Sequence, residues 1–281
     1  MQKQGYREST IQPRALKGIA RRADLLNPES VKAYLASSQL SENRKEKVCD
    51  DLAGFYRYKG IHFDRPRYRR VEKLPFIPLQ SEIDQLISGV GKKMATFLQL
   101  LKETAIRPGE AWNLRWIDID CERASVSITP EKGSNPRQFK ISSRLVGMLQ
   151  GLRGTSEYAF HGSDSEPLRS MKDFSRGFFA QRKRLAEKLQ NPRLNAISFK
   201  TIRHFKATME YNRTKDILHV MRLLGHKNIR NTLVYTHLID SRSDEYVCKI
   251  AKTVDDAKVM VEDGFEYVTD IEGMKLFRKR K

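Results

Sequence analysis

Asn27 and Pro28 open the stretch "PESVKAYLASS", in which Val31 and Leu35 recur at the interval that puts side chains on one face of a helix. An asparagine ahead of a first-turn proline is the pattern of an N-cap, because its side chain satisfies free backbone N–H groups and proline needs none. The next stretch, "SENRKEKVCDDLAGFYRYKG", begins at a second capping residue, Ser41. It sets Val48, Leu52 and Phe55 at helical spacing and stops at Gly60. Each helix has one apolar face and needs a partner, so residues 1–63 are predicted to form a small helical domain. Residues 64–78 break the pattern. Pro66, Pro75 and Pro78 stand among Arg65, Arg67, Arg69 and Arg70, a composition that resists both helix and central strand and predicts a basic linker.

Beyond the linker a helix is expected to be capped by Ser81. "KKMATFLQLLKE" then lines up Met94, Phe97, Leu98 and Leu101 as the start of a second core. Between Asp118 and Ser142 the period shortens. "ASVSITP" and "RQFKIS" alternate apolar and polar around "EKGSN", which predicts a β-hairpin with Lys132 at its tip. From Met171 the helical period returns, with Phe174, Phe178, Leu185 and Leu189 on one long amphipathic helix. Three more helices are predicted near "FKTIRHFKATMEY", "KDILHVMRLL" and "IRNTLVYTHL". The second domain, residues 79–240, is therefore mainly α with a small antiparallel β-sheet. In the tail, residues 241–281, Thr253 and Asp256 form a capping box for "VDDAKVMVED", Gly264 ends that helix, and "FEYVTDIEGMKLF" predicts a hairpin turning at Glu272 and Gly273.

Charge narrows the function. Lys and Arg number 53 against 34 Asp and Glu, a formal net charge of +19, which points to a polyanionic partner and nucleic acid first. Arg242 to Lys281 holds nine basic and nine acidic residues, so the whole excess lies before it. A neutral tail suits packing against protein better than binding DNA. Cys49, Cys121 and Cys248 lie far apart and match no metal-ligand spacing, as expected in a reducing compartment. No apolar run approaches the ~20 residues that span a bilayer, and "MQKQGYREST" has no apolar signal core. A soluble, cytoplasmic protein with no membrane partner is expected.

A tyrosine that attacks a phosphodiester needs the phosphate's charge neutralised, because the transition state gathers more charge on the non-bridging oxygens than the ground state carries. Arginine suits that task with its planar, permanently charged fork, while lysine or histidine can deliver a proton to the leaving oxygen. The chain places such groups at local breaks. Arg107 precedes Pro108 at a predicted helix start; Lys200 and Arg203 are three apart on one helix; His226 follows Gly225, a natural helix stop; Tyr235 comes shortly after. Taken one at a time, each of these residues has an ordinary explanation in solvent or core. The "DID" at Asp118 to Asp120 could suggest a metal site, but reads more simply as a strand boundary.

Three stretches together resemble the boxes of the tyrosine recombinases, the family of phage and archaeal integrases and Xer resolvases. "AIRPGEAWNLRWIDID" is similar to the first arginine box, "FKTIRHFKAT" to the second, and "LLGHKNIRNTLVYTH" to the third, in the family's order over about Leu79 to Asp240. The resemblance implies that Arg107 and Arg203 clamp the scissile phosphate and that Lys132 acts as general acid toward the 5′ oxygen. It further implies that His226 hydrogen-bonds the phosphate and assists proton transfer, and that Tyr235 is the nucleophile. Lys200 stands where most members carry histidine, and a lysine ammonium cannot serve as a neutral imidazole base. His204, beside Arg203, matches a family position of structural character.

The implied activity is site-specific recombination of double-stranded DNA through a 3′-phosphotyrosyl intermediate, with no ATP, metal or other cofactor. The first helical domain would be a core-binding (SAM-like) half of a C-shaped clamp, with the catalytic domain as the other half. Arg65, Arg67, Arg69 and Arg70 would cross the phosphate backbone between them. A homo-oligomer on DNA, a tetramer in the synaptic complex, is implied, with the tail as a possible contact between protomers. A type IB topoisomerase would use similar chemistry as a monomer, and a silent DNA-binding regulator could share the scaffold. The order of the boxes speaks against the first and the retention of every expected polar group against the second.

Overall fold

The computed structural model describes residues 14–69, 73–131, 133–161, 170–237, 246–271 and 274–280. The chain divides into two compact units, Met1–Lys73 and Leu74–Lys281. In the first, helices α1 (Arg14–Ile19), α2 (Pro28–Ser37) and α3 (Glu42–Lys59) enclose a core of Ile19, Val31, Leu35, Val48, Leu52 and Tyr56. The Asn27 side chain accepts from the N–H groups of Glu29 and Ser30, so Pro28 starts α2 with its orphan donors satisfied. Gly60 closes α3 in the left-handed conformation, φ +66°.

The first part of the segment predicted as a basic linker, through Tyr68, packs on this unit together with the residues just before it. Ile61, Phe63 and Tyr68 pack against its core, Arg65 pairs with Glu46 at 2.6 Å and Asp50 at 2.8 Å, and the Tyr68 N–H reaches Glu46. Acidic side chains on α3 thus hold the chain through Tyr68.

The second unit is built on α5 (Lys92–Thr104), which is buried nearly all round and packs against α4 (Gln80–Gly89), α7 (Ser143–Gln150) and α9 (Phe199–Thr214). Helix α4 starts just ahead of the expected cap. Leu79 is its N-cap, and the Glu82 carboxylate, not Ser81, reaches back to the Leu79 N–H at 2.8 Å. Strands β1 (Ile119–Asp120), β2 (Ser125–Ile128) and β3 (Arg137–Lys140) form an antiparallel sheet in that order, with Val126 opposite Phe139. The expected hairpin therefore gains a short third strand from the "DID" stretch.

Helix α8 (Met171–Lys188) buries Phe174, Phe178 and Leu185, but ends before Leu189, which is 42% exposed at its C-cap. Phe97 on α5 meets Phe160, Phe174 and Phe199 at ring separations of 4.9–5.0 Å, which locks α5, α8 and α9 together. Short helix α6 (Pro108–Trp112) follows α5. After α9 come α10 (Ile217–Leu224), α11 (Arg230–Leu233) and a 3₁₀ turn, Val234–His237.

The tail has its own small core of Ala251, Phe265 and Phe277. Helix α12 (Val254–Glu262) carries the expected Thr253–Asp256 capping box, and β5 (Glu266–Ile271) pairs with β6 (Met274–Arg280). The turn residues Glu272 and Gly273 lie outside the described residues. Strand β4 (Tyr246–Ala251) adds to β6, giving the order β4-β6-β5. The architecture is thus mainly α with small antiparallel sheets. No described helix is long and apolar enough to cross a membrane.

Candidate active site

Two helix ends meet beneath one arginine. Ala105, left-handed at φ 54°, ends α5; Leu224 ends α10; and the Arg203 side chain comes from α9 between them. Its guanidinium donates to the Ala105 carbonyl and to the Leu224 carbonyl at 2.8 Å. These carbonyls have no further helical turn to donate to them, so the helix ends aim acceptors at a cation. Arg203 is only 6% exposed. Burial, then the charge of Arg107, bring its pKa down to about 10, which still leaves it charged at neutral pH. Among the described residues no carboxylate lies within ion-pair distance of it.

His226 is placed by the turn before it. Gly225 is left-handed at φ +65°, and a Cβ there would sit 2.8 Å from the Arg137 guanidinium carbon, so this position suits glycine on both counts. The imidazole bridges two groups, with Nε2 3.2 Å from an Arg203 nitrogen and Nδ1 2.9 Å from the Thr232 hydroxyl. Guanidinium can only donate, so Nε2 accepts and the ring proton rests on Nδ1. Burial first, then Arg203 and Arg107, hold its pKa down to about 4 and the ring neutral.

Arg107 is the N-cap of α6. Its backbone N–H and its guanidinium both bond Glu110, at 2.9 and 3.1 Å, which leaves the side chain 24% exposed. Glu110 is the buried hub of this side of the site. It also accepts from Arg137 at 2.6 Å, from the Ser134 hydroxyl at 2.9 Å and from the Glu131 N–H. Burial alone would raise its pKa, but the Arg107 N–H and the adjacent Arg137 charge outweigh burial and hold it below the usual carboxylate range. Arg137 also donates to the Leu224 carbonyl at 2.7 Å, so one ion pair ties the hairpin to the ends of α6 and α10.

Tyr235 lies in the 3₁₀ turn after α11, 2% exposed, against Ala105, Ala207, Val220 and Leu224. Its hydroxyl is 2.9 Å from Nδ1 of His204. Burial pushes the phenol's pKa up, and Arg203 opposes that rise. Lys200 is exposed in the first turn of α9. Lys132 lies outside the described residues, although Glu131 and Ser134 of the same loop are bonded to Glu110.

Of the six candidates, the structure thus gathers Arg107, Arg203, His226 and Tyr235 within one unit. Of the four linker arginines, Arg65 is ion-paired, Arg67 and Arg69 are exposed on the first unit, and Arg70 lies outside the described residues. Sequence reasoning missed Glu110 and Arg137. Glu110 stood inside the first box without a role, and Arg137 sits in a strand whose alternation gives no hint of an ion pair far along the chain. It also set His204 aside, which the fold places against the tyrosine.

Comparison with solved structures gives the architecture first. The chain is similar to a lambda integrase dimer bound to a COC′ core site, with a TM-score of 0.61 at 16% identity, covering 83% of this chain and 72% of that one. The fold is that of the tyrosine recombinases. Sequence comparison then gives the family, since the phage integrase family profile matches residues 79–242, and the chain belongs to that family. A probable integrase/recombinase protein of Methanocaldococcus jannaschii is 26% identical over 204 residues, 67% of this chain and 62% of its own length. A tyrosine recombinase XerC of Herpetosiphon aurantiacus is 39% identical over 199 residues, 66% of this chain. The chain spans 62% of the length of each of these two relatives.

Proposed function

We propose that this protein is a site-specific DNA recombinase that cuts and rejoins double-stranded DNA through a 3′-phosphotyrosyl intermediate. The observation that carries the reading is Arg203, a buried cation with no carboxylate within ion-pair distance among the described residues, flanked by Arg107 and His226 and followed, two short helices later, by a buried tyrosine. A cation so placed is stabilised by an arriving anion, and three converging donors fit the non-bridging oxygens of a phosphodiester. The relatives' names and the core-site complex of the lambda enzyme support the same partner, double-stranded DNA, and a homo-oligomer on it.

In this reading Arg107 and Arg203 clamp the phosphate, and His226 donates to it from Nε2 after giving up its bond to Arg203, its ring proton having moved there as Nδ1 turns to accept from the Thr232 hydroxyl. Tyr235 attacks phosphorus, and Lys132 protonates the departing 5′ oxygen, with Lys200 adding positive charge at the rim. The new bond conserves the phosphodiester's energy, so rejoining needs no ATP, and the arginines supply the charge a metal would otherwise bring. The protein would act in the cytoplasm, at DNA. The test is incubation in EDTA with duplexes selected from a randomised pool by binding to the chain, followed by a denaturing gel. Wild type should retain DNA covalently and Tyr235→Phe should not; binding without an adduct in wild type would refute the reading.

A further inference from the structure

If Tyr235 is to attack as proposed above, its phenolic proton must go somewhere, and the fold offers few acceptors. Lysine in its ammonium form has donors only, so Lys200 cannot take the proton. His226 has Nδ1 engaged with Thr232 and Nε2 facing Arg203. A different imidazole touches the reacting atom, since His204 Nδ1 is 2.9 Å from the Tyr235 hydroxyl. We infer that His204 is a catalytic residue, the general base that takes the proton from Tyr235 as it attacks the phosphate. The inference rests on Tyr235 being the nucleophile.

The geometry divides labour between neighbours on α9. Successive side chains on a helix point about 100° apart, so Arg203 is sent toward the helix ends of the anion pocket and His204 toward the tyrosine. The charged and titratable groups around His204 are Lys200 and Arg203 on its own helix, Tyr235 in the 3₁₀ turn and His226 beyond Arg203. Burial, then Lys200 and Arg203, bring the imidazole's pKa down to about 4. It is therefore neutral at pH 7, and with its own proton on Nε2 it presents a lone pair at Nδ1. A phosphate seated on Arg203 offsets both cations and shifts the ring back toward its ordinary basicity as the substrate arrives.

In the forward step the phenolic O–H bond breaks and its proton moves to Nδ1 while the Tyr235 oxygen bonds to phosphorus. The P–O5′ bond breaks, and the departing oxygen keeps the electron pair and takes a proton from the acid on its own side. In rejoining, the 5′ hydroxyl returns its proton to that acid as its oxygen bonds to phosphorus, the bond from phosphorus to the Tyr235 oxygen breaks, and the His204 imidazolium returns the proton to the tyrosine.

The test uses the full chain and duplexes recovered by selection from a randomised pool, rebuilt with a nick so that the short 5′-hydroxyl fragment is lost after cleavage. His204→Asn and His204→Gln keep a hydrogen-bonding group near the phenol but cannot hold the proton. Covalent complex should form about 10²- to 10³-fold more slowly at pH 7 in both, with DNA binding and melting behaviour retained. Wild-type cleavage should vary little between pH 6 and 9, whereas the variants should speed up by up to about tenfold per pH unit as phenolate supplants the missing base. A 5′-bridging sulfur, which leaves as thiolate without a proton, should restore Lys132→Ala but neither His204 variant.

Variants that cleave like wild type with the same pH profile, or that the sulfur substrate rescues, would overturn the role of His204. Wild type that forms no adduct at all would instead overturn the recombinase reading on which it stands.

Discussion

Arg203 is a structural side chain to which the proposed reading also gives a part in the chemistry. It closes two helix ends and has no carboxylate within ion-pair distance among the described residues, while its neighbour Arg137 is neutralised by Glu110. Glu110 is therefore the residue whose loss should cost most. Glu110→Ala would strand a nearly buried Arg137 and free the Arg107 guanidinium, for an expected loss of about 3–5 kcal/mol in denaturant unfolding. A change under 1 kcal/mol would show that Arg137 finds another partner.

The histidines give a second expectation. His204 and His226 have folded pKa values near 4, depressed below the ordinary histidine value, so the unfolded chain binds more protons between the two. Their contribution to stability is present above about pH 6.5 and is lost as pH falls toward 4. Unfolding free energy measured across that window should drop, and His226→Gln should flatten the slope. The residue types in the three boxes were legible because Arg, His and Tyr at those intervals have few other reasons to recur together. Glu110, Arg137 and His204 were not, since each acts through a partner that only the fold brings close.

At the scale of elements, caps and turns were the readable features. Asn27–Pro28, Gly60, Thr253–Asp256 and Gly225 all act locally, so their neighbours in sequence decide their conformation. Where tertiary contacts decide, the reading slipped. Leu189 continues the apolar stripe of α8 but falls beyond its last turn, and Tyr246–Ala251 pairs with a strand that only the returning chain supplies. Gly225 tests how strictly an element end sets the site. Gly225→Ala must hold a left-handed alanine and displace the Arg137 guanidinium. It should lower stability by about 1–3 kcal/mol and, because His226 follows directly, weaken phosphate binding. A variant as stable as wild type would mean that Arg137 can yield without cost.

At the scale of the molecule, two units with separate cores carry a strong positive charge that the neutral tail does not share. The linker arginines separate by environment. Arg67 and Arg69 are exposed, whereas Arg65 is paired with Glu46 and Asp50. In DNA titrations across salt concentration, Arg67→Gln with Arg69→Gln should reduce the slope of log K against log salt by about two, and Arg65→Gln should change it little. Equal effects from all three would place Arg65 on the phosphates too.

The central claim is that Tyr235 carries the DNA strand. The most direct measurement is mass spectrometry of the protease-digested covalent complex formed in EDTA. A nucleotide 3′-phosphate on the peptide containing Tyr235 is the expected result. The same mass on another residue, or none on any peptide of a chain that binds the duplex, would contradict it.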